Sequence, residues 1–502
     1  MLRESVAGGG RRWCDRRSWV AVCVVGFGVV VLGSTGLAAS EPVSTLSRPD
    51  TPVVLTGANL PALVETDPSR IVAFKHTTVS GVNSWSQIPV QIDQRKVVPF
   101  GSQPSKNSSA GVVGTVYGSG SGGPTALQYA DAGTWVGADT NPAFDADDEL
   151  VFMARDAGGV APASAASLPA GVVAGSGVAV RVGDPRATTE SGTVYLFRSN
   201  GSLSPSAGQD YVDYRFQLTS GAYLTTYRRS SGPNPETSRV VTPTYEIGFT
   251  DRWYETSWKV RTGGATGVDF LDGNKNQFGL SSCLRSNATF ATAEGAFVAN
   301  IDGSVRGIRS YVGANSGPLT QRTHLMYRDR EEIVTDLRVH SIAAIMDFLD
   351  YSAAASGMTY RSSVVPGGVT VNGVQDTVGS ARPGWEAVNG TPGRVYTATR
   401  IIASQAGLVA GATGYYEDRI TPAQRECWGD RSYYGASGLW VTTGIANTDP
   451  RATPFETFRA SRVVQFLGPA GDPSVITSEA ADWAADVDAP LTTAVSPYQP
   501  SP

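Results

Sequence analysis

The chain has 502 residues, with 40 Lys or Arg against 45 Asp or Glu, only 3 His, and a formal charge of −5. That mild acidity argues against a nucleic-acid binder, which carries a basic patch. Few charged residues (17%), 57 Gly, 30 Pro and many Tyr, Trp, Val and Thr argue against a helical bundle or coiled coil. The length calls for two or more domains, or for one large sandwich with a companion.

Residues 1–40 read as a secretory signal peptide. Arg3, Arg11, Arg12, Arg16 and Arg17 precede an apolar run from Trp19 to Leu32, and small residues follow up to Ser40. The apolar run is 14 residues, short of the roughly 20 that span a bilayer, so cleavage near Ser40 is preferred to anchoring. Cleavage removes five Arg, one Glu and one Asp, leaving a net charge of −8. No later segment has 18 uninterrupted apolar residues, which predicts no membrane span in the mature chain and a secreted or cell-envelope location. Cys14 and Cys23 leave with the signal. Cys283 and Cys427 remain as an even pair in an oxidising compartment. One disulfide is the economical reading, worth on the order of a few kcal/mol; two buried free thiols are the alternative.

Residues 41–176 predict a smaller N-terminal β region, with strands at 71–74, 87–92 and 150–154. A Ser/Gly-rich loop interrupts it at 101–124, and 157–178 reads as loop. Residues 177–470 predict a large antiparallel β-sandwich. Aromatic and β-branched runs at 194–197, 211–218, 223–227, 244–249, 253–260, 297–301, 305–312, 323–328 and 333–340 alternate with turn pairs such as Asp302-Gly303. One helix is expected over 341–351, where Ile342, Ile345, Met346 and Leu349 fall at helical spacing. The tail 471–502 is polar, with one helical turn expected at 478–487. The fold class is thus mainly β.

Two stretches, Gln87-Ile88-Pro89-Val90-Gln91-Ile92-Asp93 and Asp145-Ala146-Asp147-Asp148-Glu149-Leu150-Val151-Phe152, resemble paired strands of secreted bacterial proteins. Those proteins look like members of the galactose-mutarotase-like β-supersandwich group, often tied to polysaccharide breakdown. Asn300-Ile301-Asp302-Gly303-Ser304-Val305-Arg306 resembles a third strand of that group, with Ser304 where proline is common. The resemblance covers these motifs and about a third of the chain. It implies a supersandwich and a polysaccharide ligand; it brings no catalytic set.

The acidic cluster Asp139, Asp145, Asp147, Asp148 and Glu149 has the oxygen donors a calcium ion takes. A structural calcium site on Asp139, Asp145 and Asp147 is one reading; a solvated turn before the 150–154 strand is the other. No cofactor is obligatory. The string Asp272-Gly273-Asn274-Lys275-Asn276 starts like an EF-hand, but Gln277 and Cys283 stand where Gly and Glu are required.

The densest chemistry lies in 320–352, read as a hairpin with its turn at Asp329 to Glu332. Alternation puts His324 with Met326 and Arg328 on one face, and Asp336, Arg338 and His340 on another. Whether the faces coincide depends on the register. Uronate β-elimination needs a carboxylate clamp, a base and an acid. Arg338 or Arg322, His340 or His324, and Tyr327 suit those roles. A glycoside hydrolase instead needs two carboxylates, for which Asp347 and Asp350 are candidates. The competing reading is a hairpin with one face in the core and satisfied histidines.

Aromatic residues gather at Tyr211, Tyr214, Tyr223, Tyr227, Trp253, Tyr254 and Trp258, and again at Tyr415, Tyr416, Trp428, Tyr433, Tyr434 and Trp440. Flat rings stack on sugars, though core packing is their commoner use. Arg322, Arg328, Trp428, Tyr433 and Tyr434 are the candidate substrate contacts. No G-x-S-x-G, H-E-x-x-H, Walker or C-x-x-C motif is present. The expected function is a secreted polysaccharide lyase or glycoside hydrolase. The alternative is a non-catalytic glycan-binding or envelope-associated protein with a polysaccharide ligand.

Overall fold

The β-branched and aromatic runs become strands that pair into a set of antiparallel sheets. The computed structural model describes residues 43–99, 125–162, 167–220, 236–250, 255–278, 285–286, 295–313, 320–338, 344–404, 410–420, 432–443 and 456–500. All belong to one unit, Ser40–Pro502. The expected signal peptide, the Ser/Gly loop, His340, Trp428, Cys283 and Cys427 lie outside the described residues. The fold is mainly β, and no described helix is long and apolar enough to cross a membrane.

The centre is a sandwich. Its larger sheet has nine strands, in the order Gly295–Ile301, Gly307–Gly313, Thr320–Met326, Arg330–Arg338, Glu456–Leu467, Gly393–Ser404, Glu386–Gly390, Thr359–Ser362 and Val369–Thr370. A five-stranded sheet faces it: Arg285–Ser286, Leu271–Phe278, Ile345–Tyr351, Tyr433–Val441 and, at the edge, Ala412–Arg419. Met326, Ile333, Val395, Val464 and Phe466 of the large sheet share one core with Leu271, Leu349 and Tyr351 of the facing sheet. Tyr245, Ile247 and Trp258, from a four-stranded sheet over 213–260, complete that core.

The helix expected over 341–351 is a strand, Ile345–Tyr351, with every residue buried. Ile345 and Leu349 point into the sandwich, while Met346 and Phe348 join a cluster on the outer face. A strand covered on both faces places apolar residues on each of them and loses the two-residue alternation, so the spacing of Ile345, Met346 and Leu349 also fits a helix. Conversely, the single turn expected at 478–487 is a 16-residue helix, Pro473–Asp488. Asp472 caps it, accepting from Ser474 N–H at 2.9 Å. Its stripe of Ile476, Ala480 and Ala484 packs on Trp385, Ala387, Tyr396 and Ala398, on the outer face of the nine-stranded sheet. The chain then returns as Thr492–Tyr498, which pairs along its whole length with Gly177–Gly183. That strand sits in one sheet with Ser191–Arg198, Ile71–Val79 and Val82–Ile88. This sheet therefore joins residues on both sides of position 176 and closes with the end of the chain.

The three motif stretches meet at Arg306, which is almost wholly buried. Gln91 Oε1 accepts from the backbone N–H of Val305 and Arg306 at 3.0 and 2.9 Å. The Arg306 guanidinium bonds Asp93 at 2.7 Å and Glu149 at 2.6 Å. Glu149 also pairs with Arg95 and accepts from Tyr129. The turn passes so close that a Cβ on Gly303 would lie 2.2 Å from Gln91 Oε1, which is why glycine stands there. The motifs thus tie the 91–93 and 149–153 strands to the sandwich.

Candidate functional site

The 320–338 hairpin is tighter than its polar sequence suggests. Met326 pairs with Glu331, and Tyr327 N–H donates to Arg330 O at 2.8 Å, leaving Arg328 and Asp329 as the turn. Arg322, His324 and Met326 therefore share the inward face with Glu331, Ile333 and Thr335, and Asp336 lies on the other face. The Arg338 backbone pairs with Glu456 just past a bulge.

This hairpin brings Arg322, His324 and Asp347 together, but inside the sandwich. Arg322, His324, Tyr327, Asp347 and Asp350 are each at most 3% exposed. A cleft floor would need them open to a polymer; instead each is held by protein partners. Asp347 binds Arg322 at 3.1 Å and Arg462 at 2.8 Å. Arg462 also reaches the Asp347 carbonyl at 2.7 Å and Asn274 Oδ1 at 3.0 Å. Asp350 projects to the opposite face of its strand, where Lys275 pairs with it and with Asp272. The two carboxylates thus do not form a hydrolase pair. Tyr327 Oη accepts from Arg306 Nη1 at 3.2 Å. Burial pushes its phenol upward, although Arg306 opposes this, so it remains a protonated donor. Arg328, at the turn, grips both oxygens of Asp329 at 2.6 Å. Tyr433 is buried against Phe348, and Tyr434 packs on the sandwich core.

At the centre of this interior, His324 Nδ1 lies 2.9 Å from Glu331 Oε1 and 3.2 Å from Glu255 Oε1. All three side chains are fully buried. Burial first, then the Glu255 charge, pushes Glu331 well above the usual carboxylate range, as two carboxylates sharing one site require.

Of the acidic turn, Asp145, Asp147 and Asp148 come together, without Asp139. Asp148 accepts from Arg95 N–H at 2.7 Å and Asp145 N–H at 2.9 Å. Asp145 accepts from Asp147 N–H and Asn141 Nδ2, both at 3.2 Å. The hydrogen bond with Asp145, and burial, push Asp147 up to about 6. These bonds hold the turn.

An open groove of about 610 Å³ lies along the edge strand Ala412–Arg419, within the roughly 300–1,000 Å³ of ligand pockets. Thr413, Tyr415, Glu417 and Trp440 line one side, and the 375–380 segment walls the other. Edge position explains the wall: an unpaired strand edge offers free backbone groups, and the segment takes them up. Gly414 N–H donates to Ser380 O at 3.0 Å, and Asp418 N–H to Gln375 Oε1 at 3.2 Å. The buried Asp418 carboxylate accepts from Asn372, Gly373 and Gly435 N–H at 2.8, 2.8 and 3.1 Å. Burial still pushes that carboxyl upward against these bonds.

Inside the groove, Tyr415 Oη donates to Glu417 Oε2 at 2.8 Å, and Arg419 Nε stands 3.6 Å from Glu417 Oε1. Trp440 meets Tyr415 edge-on, with centroids 6.3 Å apart. Tyr416 leans on Tyr360 at 4.6 Å. Burial pushes both groove phenols upward, so both stay protonated and neither serves as a base. Tyr416 Oη and Asp376 Oδ2 are shielded and have no hydrogen-bond partner among the described residues, an arrangement that costs free energy. The sequence flagged Tyr415, Tyr416 and Trp440 as aromatics. It gave no sign of Asp376, Glu417 or Arg419, because their convergence depends on an irregular segment docking on a strand edge.

No family model and no curated protein matches the chain. Among solved structures, a heparan sulfate lyase HepC mutant from Pedobacter heparinus matches at 7% identity and a TM-score of 0.26, over 54% of this chain and 39% of the lyase. A putative aldose 1-epimerase from Escherichia coli K12 matches at 7% identity and a TM-score of 0.21, over 51% of this chain and 100% of the epimerase. The chain spans about two fifths of the lyase's length. These scores are too low to carry a functional argument.

Proposed function

We propose that this is a glycan-binding β-sandwich protein acting outside the cell, and that the sugar lies in the groove beside Ala412–Arg419. One observation carries the reading: Tyr416 and Trp440, both half-buried, line an open groove together with the Glu417 carboxylate and the Arg419 guanidinium. Ring faces or edges cover a sugar's apolar C–H surface, and fixed hydroxyl and carboxylate groups meet its hydroxyls. Among the described residues, the groove lining has no histidine. A second reading, hydrolysis, is favoured by the two carboxylates Asp376 and Glu417 on the same lining.

Both readings are tested by retardation of the purified protein in gels containing acidic or neutral polysaccharides, with reducing ends assayed in parallel. Trp440→Ala is expected to abolish retardation. Tyr416→Leu, which removes the ring face, is expected to weaken it by roughly 2–10-fold, the worth of one ring contact. Reducing ends that vanish in Glu417→Gln would select hydrolysis. Retardation unaffected by either aromatic substitution would refute the groove.

A further inference from the structure

We propose that Glu255, His324 and Glu331 form a buried site for one divalent transition-metal ion, with zinc the best fit. The ion would be a structural pin between the hairpin and the segment leading into Ser257–Val260. It is a different site from the groove and from the acidic turn.

The donor set is chemically selective. One imidazole nitrogen and two carboxylate oxygens suit zinc and its first-row neighbours, whereas calcium takes oxygen donors. The ligand atoms already converge: all three lie within 4.8 Å of one another, and the two shortest separations are 2.9 and 3.2 Å. Donors placed about 2.0–2.2 Å from a tetrahedral zinc stand roughly 3.3 Å apart, so only a small adjustment is needed.

Two further observations point to an ion. Glu255 is held by its outer oxygen alone: Oε2 accepts from Trp258 Nε1 at 3.1 Å and Asn274 Nδ2 at 3.0 Å. That leaves Oε1 aimed at His324 Nδ1 without a well-formed hydrogen bond, and Glu331 Oε2 also has none. Orientation of a ligating carboxylate by outer hydrogen bonds is how metal sites are built. Secondly, the surrounding cations bind other carboxylates directly and act on this cluster only at longer range. Arg322 and Arg462 converge on Asp347, and Arg309 is bound to Glu236. Two carboxylates therefore share a closed interior, and a divalent ion would take the place of the proton that Glu331 otherwise keeps. Because the ligands come from separate parts of the chain and are sealed from solvent, the ion would enter during folding.

The test uses the whole chain, stripped with EDTA under partly unfolding conditions and refolded with or without zinc. Metal content is read by mass spectrometry and affinity by calorimetry. One equivalent of zinc is expected in the wild type, with affinity falling in Glu331→Gln and His324→Gln by more than the roughly 10–100-fold that loss of an outer partner of a ligand costs. Calcium in excess should not displace it. Zinc-edge X-ray absorption on the wild type covers the case in which the variants do not fold. A shell of nitrogen and oxygen donors containing one imidazole supports the site; a shell without imidazole overturns it. A wild-type chain that refolds without retaining or binding stoichiometric zinc, manganese or cobalt also overturns it, as does unchanged affinity in His324→Gln.

Discussion

Asp347→Asn separates a structural role for the hairpin interior from a catalytic one. Asp347 is 3% exposed and is the shared carboxylate partner of Arg322 and Arg462. An amide of the same shape leaves two buried guanidinium groups without that charge. Removing one partner from such an arrangement costs about 3–5 kcal/mol. Unfolding entropy of about 2.1 cal/mol/K per residue, over the roughly 460 residues of Ser40–Pro502, gives about 1 kcal/mol per degree. The expected fall in Tm is therefore about 3–5 °C, read by circular dichroism at matched protein concentration. Glycan retardation measured well below the transition should stay at the wild-type level, because Asp347 does not line the groove. A Tm shift under about 1 °C combined with lost polysaccharide activity would refute the reasoning and return Asp347 to the chemistry.

Arg306→Met leaves Asp93 and Glu149 facing each other and should cost a similar ~3–5 kcal/mol; a melting curve overlaying the wild type would contradict the motif joint. Asp50 is pushed up to about 6 by burial and by the hydrogen bond and charge of Asp329, against Arg155 and Arg328. The folded chain then keeps a proton that the unfolded chain releases near pH ~4. Stability should accordingly fall as pH rises from about 4 through about 6. Asp50→Asn should flatten that segment of the Tm–pH curve, and an unchanged slope would count against it. Deleting residues 491–502 removes Thr492–Tyr498 and uncovers Tyr195 and Phe197, which pack on Tyr498. Aggregation along the freed Gly177–Gly183 edge is expected by light scattering, and a monodisperse, equally stable product would contradict it.

Much of the architecture was readable because turn residues and β-branched runs mark strands directly. The three motif stretches were also readable, and Arg306 shows why they recur as a set: they are one hydrogen-bonded joint. Ile345–Tyr351 was misread because burial on both faces erases alternation. Only one turn of Pro473–Asp488 is legible in the sequence, because two of its three fully inward residues are alanines, too small to register as an apolar stripe. The hairpin face containing His324 was fixed by a two-residue turn at Arg328-Asp329, hidden in a run of charges that offered several registers. Chemistry-bearing residue types drew attention to that hairpin, yet the same Arg, His and Asp side chains satisfy one another in its interior. The groove depends on contacts between segments about 40 residues apart, which local pattern does not encode.

The most direct test is hydrogen–deuterium exchange of the full chain with and without a retarding polysaccharide. A groove-bound glycan should slow exchange at 375–380, 413–419 and 440–442, and leave 320–338 unchanged. Protection at the 320–338 hairpin, with none along the edge strand, would contradict the groove and place the ligand at the hairpin.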